Sequence, residues 1–478
     1  MSLSRATAIS LLVAGAFFME NLDGTVIVTA LPQMAASFGA HPVDLSIGVS
    51  AYILTLAVLI PASGWLADRF GARTIFASAI LIFTLASVAC GLSSNLVFFV
   101  IARVLQGVGG AMMVPVGRLV VLKAARKEEI ISAIGLIVWP GLAAPVLGPP
   151  LGGFITTYFS WHWIFYLNVP LGAVALYFAL RLVPDSEPEP RPFDWPGFVL
   201  TGGCGFTLML GIQLLSENAP PWHVIAFLLF CGLAFGSLAV RAERRSAHPV
   251  VDLYALRYKS FAVTVWGGTL FRAAIGAVPF LLPLLFQIGF GLDPFVSGLL
   301  VLSVFAGNLA MKAVTTPILH RFGFRRVLVV NGLLNGAVLL ACAFISPETP
   351  VPLIVALLFV SGLTRSMQFT TISTVAFADV PQDRMSGANT LLNVVAPIGF
   401  ALGIAVAALA LRIATLVFPS TDGVLSLMQF HLAFVIIAAI AFLAVLDTLG
   451  LAADVGDSLR KPRVVAASPT QMQESLGK

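Results

Sequence analysis

Gly64-Trp65-Leu66-Ala67-Asp68-Arg69-Phe70-Gly71-Ala72-Arg73 fills a short polar gap between two long apolar runs. A second copy, His320-Arg321-Phe322-Gly323-Phe324-Arg325-Arg326, lies between two later runs. Arg69-Phe70-Gly71-x-Arg73 aligns with Arg321-Phe322-Gly323-x-Arg325, 252 residues further on. In a chain of 478 residues, a repeat at that spacing predicts two halves built on one plan, able to rock about a central site.

Outward from the repeat, the chain is apolar almost throughout. Hydrophobic residues make up 59% and charged residues 10%, and the mean hydropathy is +0.98. That composition excludes an ordinary soluble domain. A bilayer crossing takes about 20 apolar residues at ~1.5 Å rise per residue. Fourteen such runs fit, from about 8–31 to about 430–450. The fold class is therefore all-α and polytopic. The polar, Pro-rich stretch Pro184 to Pro192 closes a first six-helix bundle over 1–183. Residues 184–258 then hold this linker and two extra central spans, 259–450 form a second six-helix bundle, and 451–478 make a polar, disordered tail. The first run is too long for a cleaved signal peptide, contains Glu20 and Asp23, and lacks a small-x-small cleavage site.

Charge sets the orientation. Loops on the N-terminal side carry Arg69, Arg73, Lys123, Arg126, Lys127, Arg241, Arg244, Arg245, Arg257, Lys259, Arg321, Arg325, Arg326 and Arg384. The opposite loops carry no Lys or Arg apart from Arg412, near the end of the thirteenth run. The asymmetry predicts both termini in the cytoplasm. The pI near 9.2 is thus an insertion signal and gives no reason to expect a nucleic-acid partner. Cys90, Cys204, Cys231 and Cys342 fall in or at the ends of runs without a CxxC pair. Neither disulfides, a metal nor another cofactor is expected.

A few polar residues inside the runs carry the functional signal. Asp23 lies mid-run with Glu20 three residues before it. An ionised carboxylate there costs roughly 2.5–3.5 kcal/mol on insertion scales, so both are expected to face protein or water. Two intramembrane carboxylates are what a proton-driven carrier needs. Asp23 and Arg103 each lie eight residues from the outer ends of their runs, at Leu31 and Asn95, a depth on the order of 12 Å. Opposite charges at equal depth can meet, as a proton switch or as a static pair locking two helices. Glu20 reads as a second protonation site, a cation selector, or a polar group satisfied by a neighbouring helix. The second half carries Arg272, Lys312 and Arg365, with Asn308, Gln368, Asn389 and Asn393 as polar companions. A cavity with Glu20 and Asp23 on one wall and Arg272 and Arg365 on the other suits an anionic or zwitterionic substrate as well as a cation. Trp139, Trp161, Trp163, Trp222 and Trp266 are expected to anchor at interfaces or pack.

Four motifs in order resemble a known family. Gly64-x-Leu66-Ala67-Asp68-Arg69-x-Gly71 is similar to the loop motif of the major facilitator superfamily, and Arg103-x-x-Gln106-Gly107-x-Gly109-Gly110-Ala111 to its fourth-span motif. Gly148-Pro149-Pro150-Leu151-Gly152-Gly153 is similar to the fifth-span motif of its exporters, and Leu22-Asp23-Gly24-Thr25-Val26 to a first-span signature of its fourteen-span drug–proton antiporter branch. The resemblance implies the major facilitator fold, with two six-helix bundles plus two extra spans, acting by alternating access in the bacterial inner membrane. It implies proton coupling at Asp23, Arg103 and Glu20, gating by Gly64, Asp68, Arg69, Gly71 and Arg73, and an exporter mark at Gly148, Pro149, Gly152 and Gly153. Partners would be a small molecule, protons and lipid, with the chain monomeric; exporting an organic anion or metal chelate of citrate or siderophore type is the alternative. Two positions depart from the pattern: Ala144 stands where Gly is usual, and His320 replaces Asp68 in the second loop. The chain has no G-x-S-x-G, H-E-x-x-H or Walker loop and no catalytic insert, so no enzyme is expected.

Overall fold

The computed structural model describes residues 5–124, 130–185, 192–215, 220–243, 253–381, 385–419 and 425–456, with side chains at 6, 130–135, 138–142, 386, 387 and 390 also outside the description. Most of the Pro-rich linker, most of the tail, the loop residues Arg126, Lys127, Arg244, Arg245 and Arg384, and the Trp139 side chain therefore lie outside the described residues.

Regular structure among the described residues is entirely helical. The long helices of the first half are α1 (Arg5–Val26), α2 (Ser46–Phe70), α3 (Ala72–Gly91), α4 (Leu96–Ala124), α5 (Ile130–Tyr158) and α6 (Asn168–Leu182). Then come α7 (Trp195–Leu214) and α8 (Trp222–Glu243). The second half holds α9 (Lys259–Leu284), α10 (Pro294–Lys312), α11 (Phe324–Cys342), α12 (Val351–Val375), α13 (Met385–Val417) and α14 (Leu427–Leu449). Thirteen helices among the described residues are long and apolar enough to cross a membrane. The 29-residue α5 runs where the fifth span is expected.

The repeated loop has the same backbone in both halves. Gly71 (φ 85°, ψ 134°) separates α2 from α3, and Gly323 (φ 80°, ψ 156°) precedes α11. Positive φ at this turn suits glycine, which has no Cβ to clash. The basic residue two positions on then reaches the end of the last helix of its own half. Arg73 Nη2 donates to the Leu180 carbonyl at 2.6 Å, and Arg325 Nη2 to the Leu449 carbonyl at 3.0 Å. A cation at unsatisfied C-terminal carbonyls is favourable on both hydrogen-bond and dipole grounds.

The halves meet along two seams. At one, α5 packs on α10, and the small residues of the fifth-span motif allow it. A Cβ at Gly153 would run into the Pro294 carbonyl, and one at Gly298 into the Pro149 carbonyl. At the other, α2 packs on α13. Helix α7 wedges beside this second seam, with Met209 among Leu54, Ala401 and Ala405, and Gln213 Nε2 donating to Ser46 Oγ at 2.8 Å. Away from the chain ends, one apolar core runs through both halves, from Val26, Met34 and Phe165 to Phe286, Leu411 and Phe430. Toward the chain ends each half keeps its own core. The molecule is therefore closed on one face and parted on the other.

Candidate functional site

Asp23 and Arg103 do meet. Arg103 Nη1 donates to Asp23 Oδ2 at 2.7 Å, with both side chains fully buried. Three more residues complete the cage. Gln106 Nε2 and Asn168 Nδ2 each donate to Asp23 Oδ1 at 2.8 Å, and Ser87 Oγ accepts from both amides, at 2.8 and 3.2 Å. Gln106 Oε1 takes a second bond from Arg103 Nη1 at 2.6 Å. Four helices, α1, α3, α4 and α6, thus fix one carboxylate. Burying a charge this deeply is tolerable only with a partner and several hydrogen bonds. Arg103 Nε and Nη2 nevertheless find no hydrogen-bond partner among the described residues. The Tyr52 ring covers that guanidinium, 4.2 Å from its centre, as a cation–π partner.

Tyr52 also faces the other way. It lines a cavity of about 980 Å³ between the two halves. Glu20, Thr25 and Arg118 line it from the first half, and Phe305, Arg365, Asn393 and Phe400 from the second. The cavity extends toward Gly64 at the end of α2 and Arg118 near the end of α4, the parted face of the molecule. Asp23 is not among its lining residues. Three residues of helix advance by about 300°, leaving Glu20 and Asp23 some 60° apart. That offset is enough to put Glu20 in the cavity and Asp23 behind its wall. Glu20 Oε2 is buried there without a hydrogen-bond partner among the described residues.

The second half spreads its expected residues more widely. Arg365 lines the cavity, its guanidinium 5.7 Å from the Phe305 ring centre and its Nη1 without a hydrogen-bond partner among the described residues. Arg272 is fully buried off the cavity, giving Nη1 to the Thr264 carbonyl at 3.0 Å. Gln368 is also buried, between Asn331 Nδ2 (2.9 Å) and the Leu328 carbonyl (3.1 Å). Asn308 is half-buried and Asn389 exposed, and neither lines the cavity. Lys312 is exposed, with Nζ donating to Thr370 Oγ1 at 3.0 Å.

In the loop, Gly64 is exposed and lines the cavity mouth, while Asp68 is half-buried with a partner. Arg69 stacks on Trp65 and Phe70, at 5.6 and 5.8 Å. Gly148 and Gly152 lie against Thr25 and the Val26 carbonyl, so the fifth-span motif clamps the end of α1 as well as α10. Trp161 is a packing residue, stacked on His162 at 3.7 Å with Nε1 donating to Ser37 Oγ.

Sequence reasoning missed Ser87, Asn168 and Tyr52 as members of this constellation, and held Gln106 only as a motif letter. The usable signal was an isolated polar side chain within an apolar run, the same cue that marked Asp23. Tyr52 gave no such cue, because aromatic rings are ordinary core residues.

A helical membrane protein with pseudo-repeated halves, a central cavity and buried charge beside it has the architecture of a secondary transporter. The family model of the Major Facilitator Superfamily matches residues 13–404 and, in a second match, 264–470. A relative from Klebsiella pneumoniae subsp. pneumoniae, "Putative multidrug resistance protein MdtD", is 38% identical over 449 residues, 94% of this chain and 95% of its own. The protein so named from Yersinia enterocolitica is 37% identical over 460 residues, 95% of this chain and 97% of its own. Among solved structures, a POT family peptide transporter superposes with a TM-score of 0.67 at 18% identity, covering 96% of this chain and 98% of its own. The D-xylose-proton symporter does so at 0.64 and 15%, covering 93% and 97%. The chain belongs to the major facilitator superfamily. It is a multi-pass transporter of the bacterial inner membrane and not an enzyme.

Proposed function

We propose that this chain exports small amphiphilic compounds, drugs among them, in exchange for protons. The buried Asp23–Arg103 pair carries this reading, because it places one carboxylate directly behind a cavity wall. Protonating Asp23 removes the charge that holds Arg103. The released guanidinium still rests on Tyr52, so a change of proton occupancy reaches the cavity through one ring. The names of the relatives support the cargo class. In this reading fourteen spans place both termini in the cytoplasm, the parted face opens there, and the monomer is the working unit. The Gly64–Arg73 loop and the α5–α10 seam form the moving contacts, with Asp68 at the inner gate.

A second cargo class, an organic anion or metal chelate, is favoured by one observation: Arg118 and Arg365 both line the cavity. Everted vesicles energised by a proton gradient test both, with ethidium and labelled citrate run side by side. Uptake of either that collapses with a protonophore supports exchange against protons. Asp23→Asn, which is neutral at every pH, is expected to reduce gradient-driven uptake to the level of de-energised vesicles. Uptake retained in that variant removes Asp23 from coupling.

A further inference from the structure

We infer that the cavity selects zwitterionic amphiphiles, molecules with one cationic and one anionic group on an apolar body, binding the cation at Glu20 and the anion at Arg365. This rests on the transport reading above and specifies its cargo. Glu20 comes from α1 and Arg365 from α12, so opposite halves supply opposite charges to one space. Arg118 shares the wall with Glu20 and the Phe305 ring lies under Arg365, but no protein group among the described residues bonds directly to either. Glu20 Oε2 and Arg365 Nη1 are both buried without a hydrogen-bond partner, and neither residue forms an ion pair among the described residues.

Pairing of the two unpartnered atoms, and not net charge, then separates the cargo classes. With Arg118 also on the wall, two guanidinium groups stand against one carboxylate. A monocation that satisfies Glu20 enters a space already positive and leaves Arg365 unanswered. A monoanion satisfies Arg365 and offsets the excess positive charge, but leaves Glu20 Oε2 without a hydrogen-bond donor. A zwitterion answers both without adding net charge, which recovers the most from buried groups that lack partners. The aromatic rings of Tyr52, Phe280, Phe305 and Phe400 supply the apolar body's contacts. The volume of about 980 Å³ suits a drug-sized molecule.

Substrate counterflow in proteoliposomes tests this without a proton gradient, and therefore independently of coupling. Three probes share one scaffold: norfloxacin (zwitterion), its methyl ester (cation) and N-acetylnorfloxacin (anion). The wild type is expected to carry norfloxacin in preference to both derivatives. Arg365→Gln should lower the norfloxacin-to-ester ratio by about tenfold or more, the effect of one charge-assisted hydrogen bond. Glu20→Gln should lower the norfloxacin-to-N-acetyl ratio similarly, and Arg365→Lys should restore much of the first ratio. These ratios are taken within one sample, so loss of folded protein does not move them. A wild type that prefers either derivative, or ratios unchanged in both variants, overturns the zwitterion site while leaving transport standing. A wild type that carries none of these probes, nor ethidium or citrate, overturns the transport reading and this inference together.

Discussion

The two halves share their turns and differ in their interiors. At the repeated loop they are near copies: a glycine at φ 85° or 80°, then an arginine bonded to the carbonyl end of the half's last helix. Inside, the first half buries a carboxylate, a guanidinium, two amides and a hydroxyl in one network. The second half buries amides instead. Asn331 Nδ2 reaches the Thr364 carbonyl at 2.8 Å and Gln368 Oε1 at 2.9 Å, and Asn335 Nδ2 reaches Thr364 Oγ1 at 3.0 Å. Its fully buried cation, Arg272, is held by a backbone carbonyl. Symmetry is thus kept where the backbone must turn and dropped where the first half buries an ion pair. An amide network contains no acid–base group, and a carboxylate network does.

The sharpest way to break this contrast is to remove one half of the charged pair. Arg103→Met leaves the Asp23 carboxyl buried with only amide donors, a loss expected at about 3–5 kcal/mol. Thermal unfolding in detergent should show it. The double variant Asp23→Leu/Arg103→Met removes both charges, and such replacements are often neutral or stabilising. Stability should therefore recover in the double variant while gradient-driven transport stays absent. Stability that fails to recover would mean that Gln106, Asn168 and Ser87, left without the carboxylate, outweigh the pair itself.

The corresponding change in the second half should do less. Gln368→Leu deprives one N–H of Asn331 Nδ2 of its acceptor and the Leu328 carbonyl of a second donor, while Asn331 keeps its bond to Thr364. The expected loss is about 1–3 kcal/mol, that of a buried polar group left unsatisfied. Transport per folded molecule should keep its dependence on the proton gradient. A Gln368→Leu protein that folds but no longer couples to the gradient would place proton chemistry in both halves and dissolve the asymmetry.

These differences explain what the sequence made legible. The all-helical class and the order of the helices follow from apolar run length, and the repeated loop announced the two-fold plan, since a positive-φ glycine followed by an arginine is a local feature. The Asp23–Arg103 meeting was expected from equal depth on spans that neighbour in the fold the family resemblance implies, because rise per residue fixes height in a membrane. Azimuth did not follow. Rotation about a helix axis separates Glu20 from Asp23 across a wall, and likewise decides that Arg365 faces the cavity while Arg272 and Gln368 do not. Which side chains from α3 and α6 close the cage depends on tertiary packing, so Ser87 and Asn168 emerged only from the structure.

The smallest expected effects belong to the symmetric part, and they sharpen the comparison from the other side. Arg73 Nη1 also pairs with Asp185 Oδ2 at 2.6 Å, with side chains 30% and 78% exposed. An exposed pair of this kind contributes about 0.2–1 kcal/mol. Arg325 has the carbonyl contact, where a cation at a helix C-terminus is worth a similar ~0.3–1 kcal/mol. Arg73→Ala and Arg325→Ala should each lower the unfolding temperature by only a few degrees, roughly 2–4 °C per kcal/mol for domains of 150–250 residues. Salt separates them. Screening weakens an exposed ion pair more than a hydrogen bond to a neutral carbonyl, so at high ionic strength the Arg73→Ala effect should shrink toward that of Arg325→Ala. If the two variants differ as much in high salt as in low, the Asp185 contact is not the source of the difference. The two turns would then be unequal in packing, despite their matching backbone.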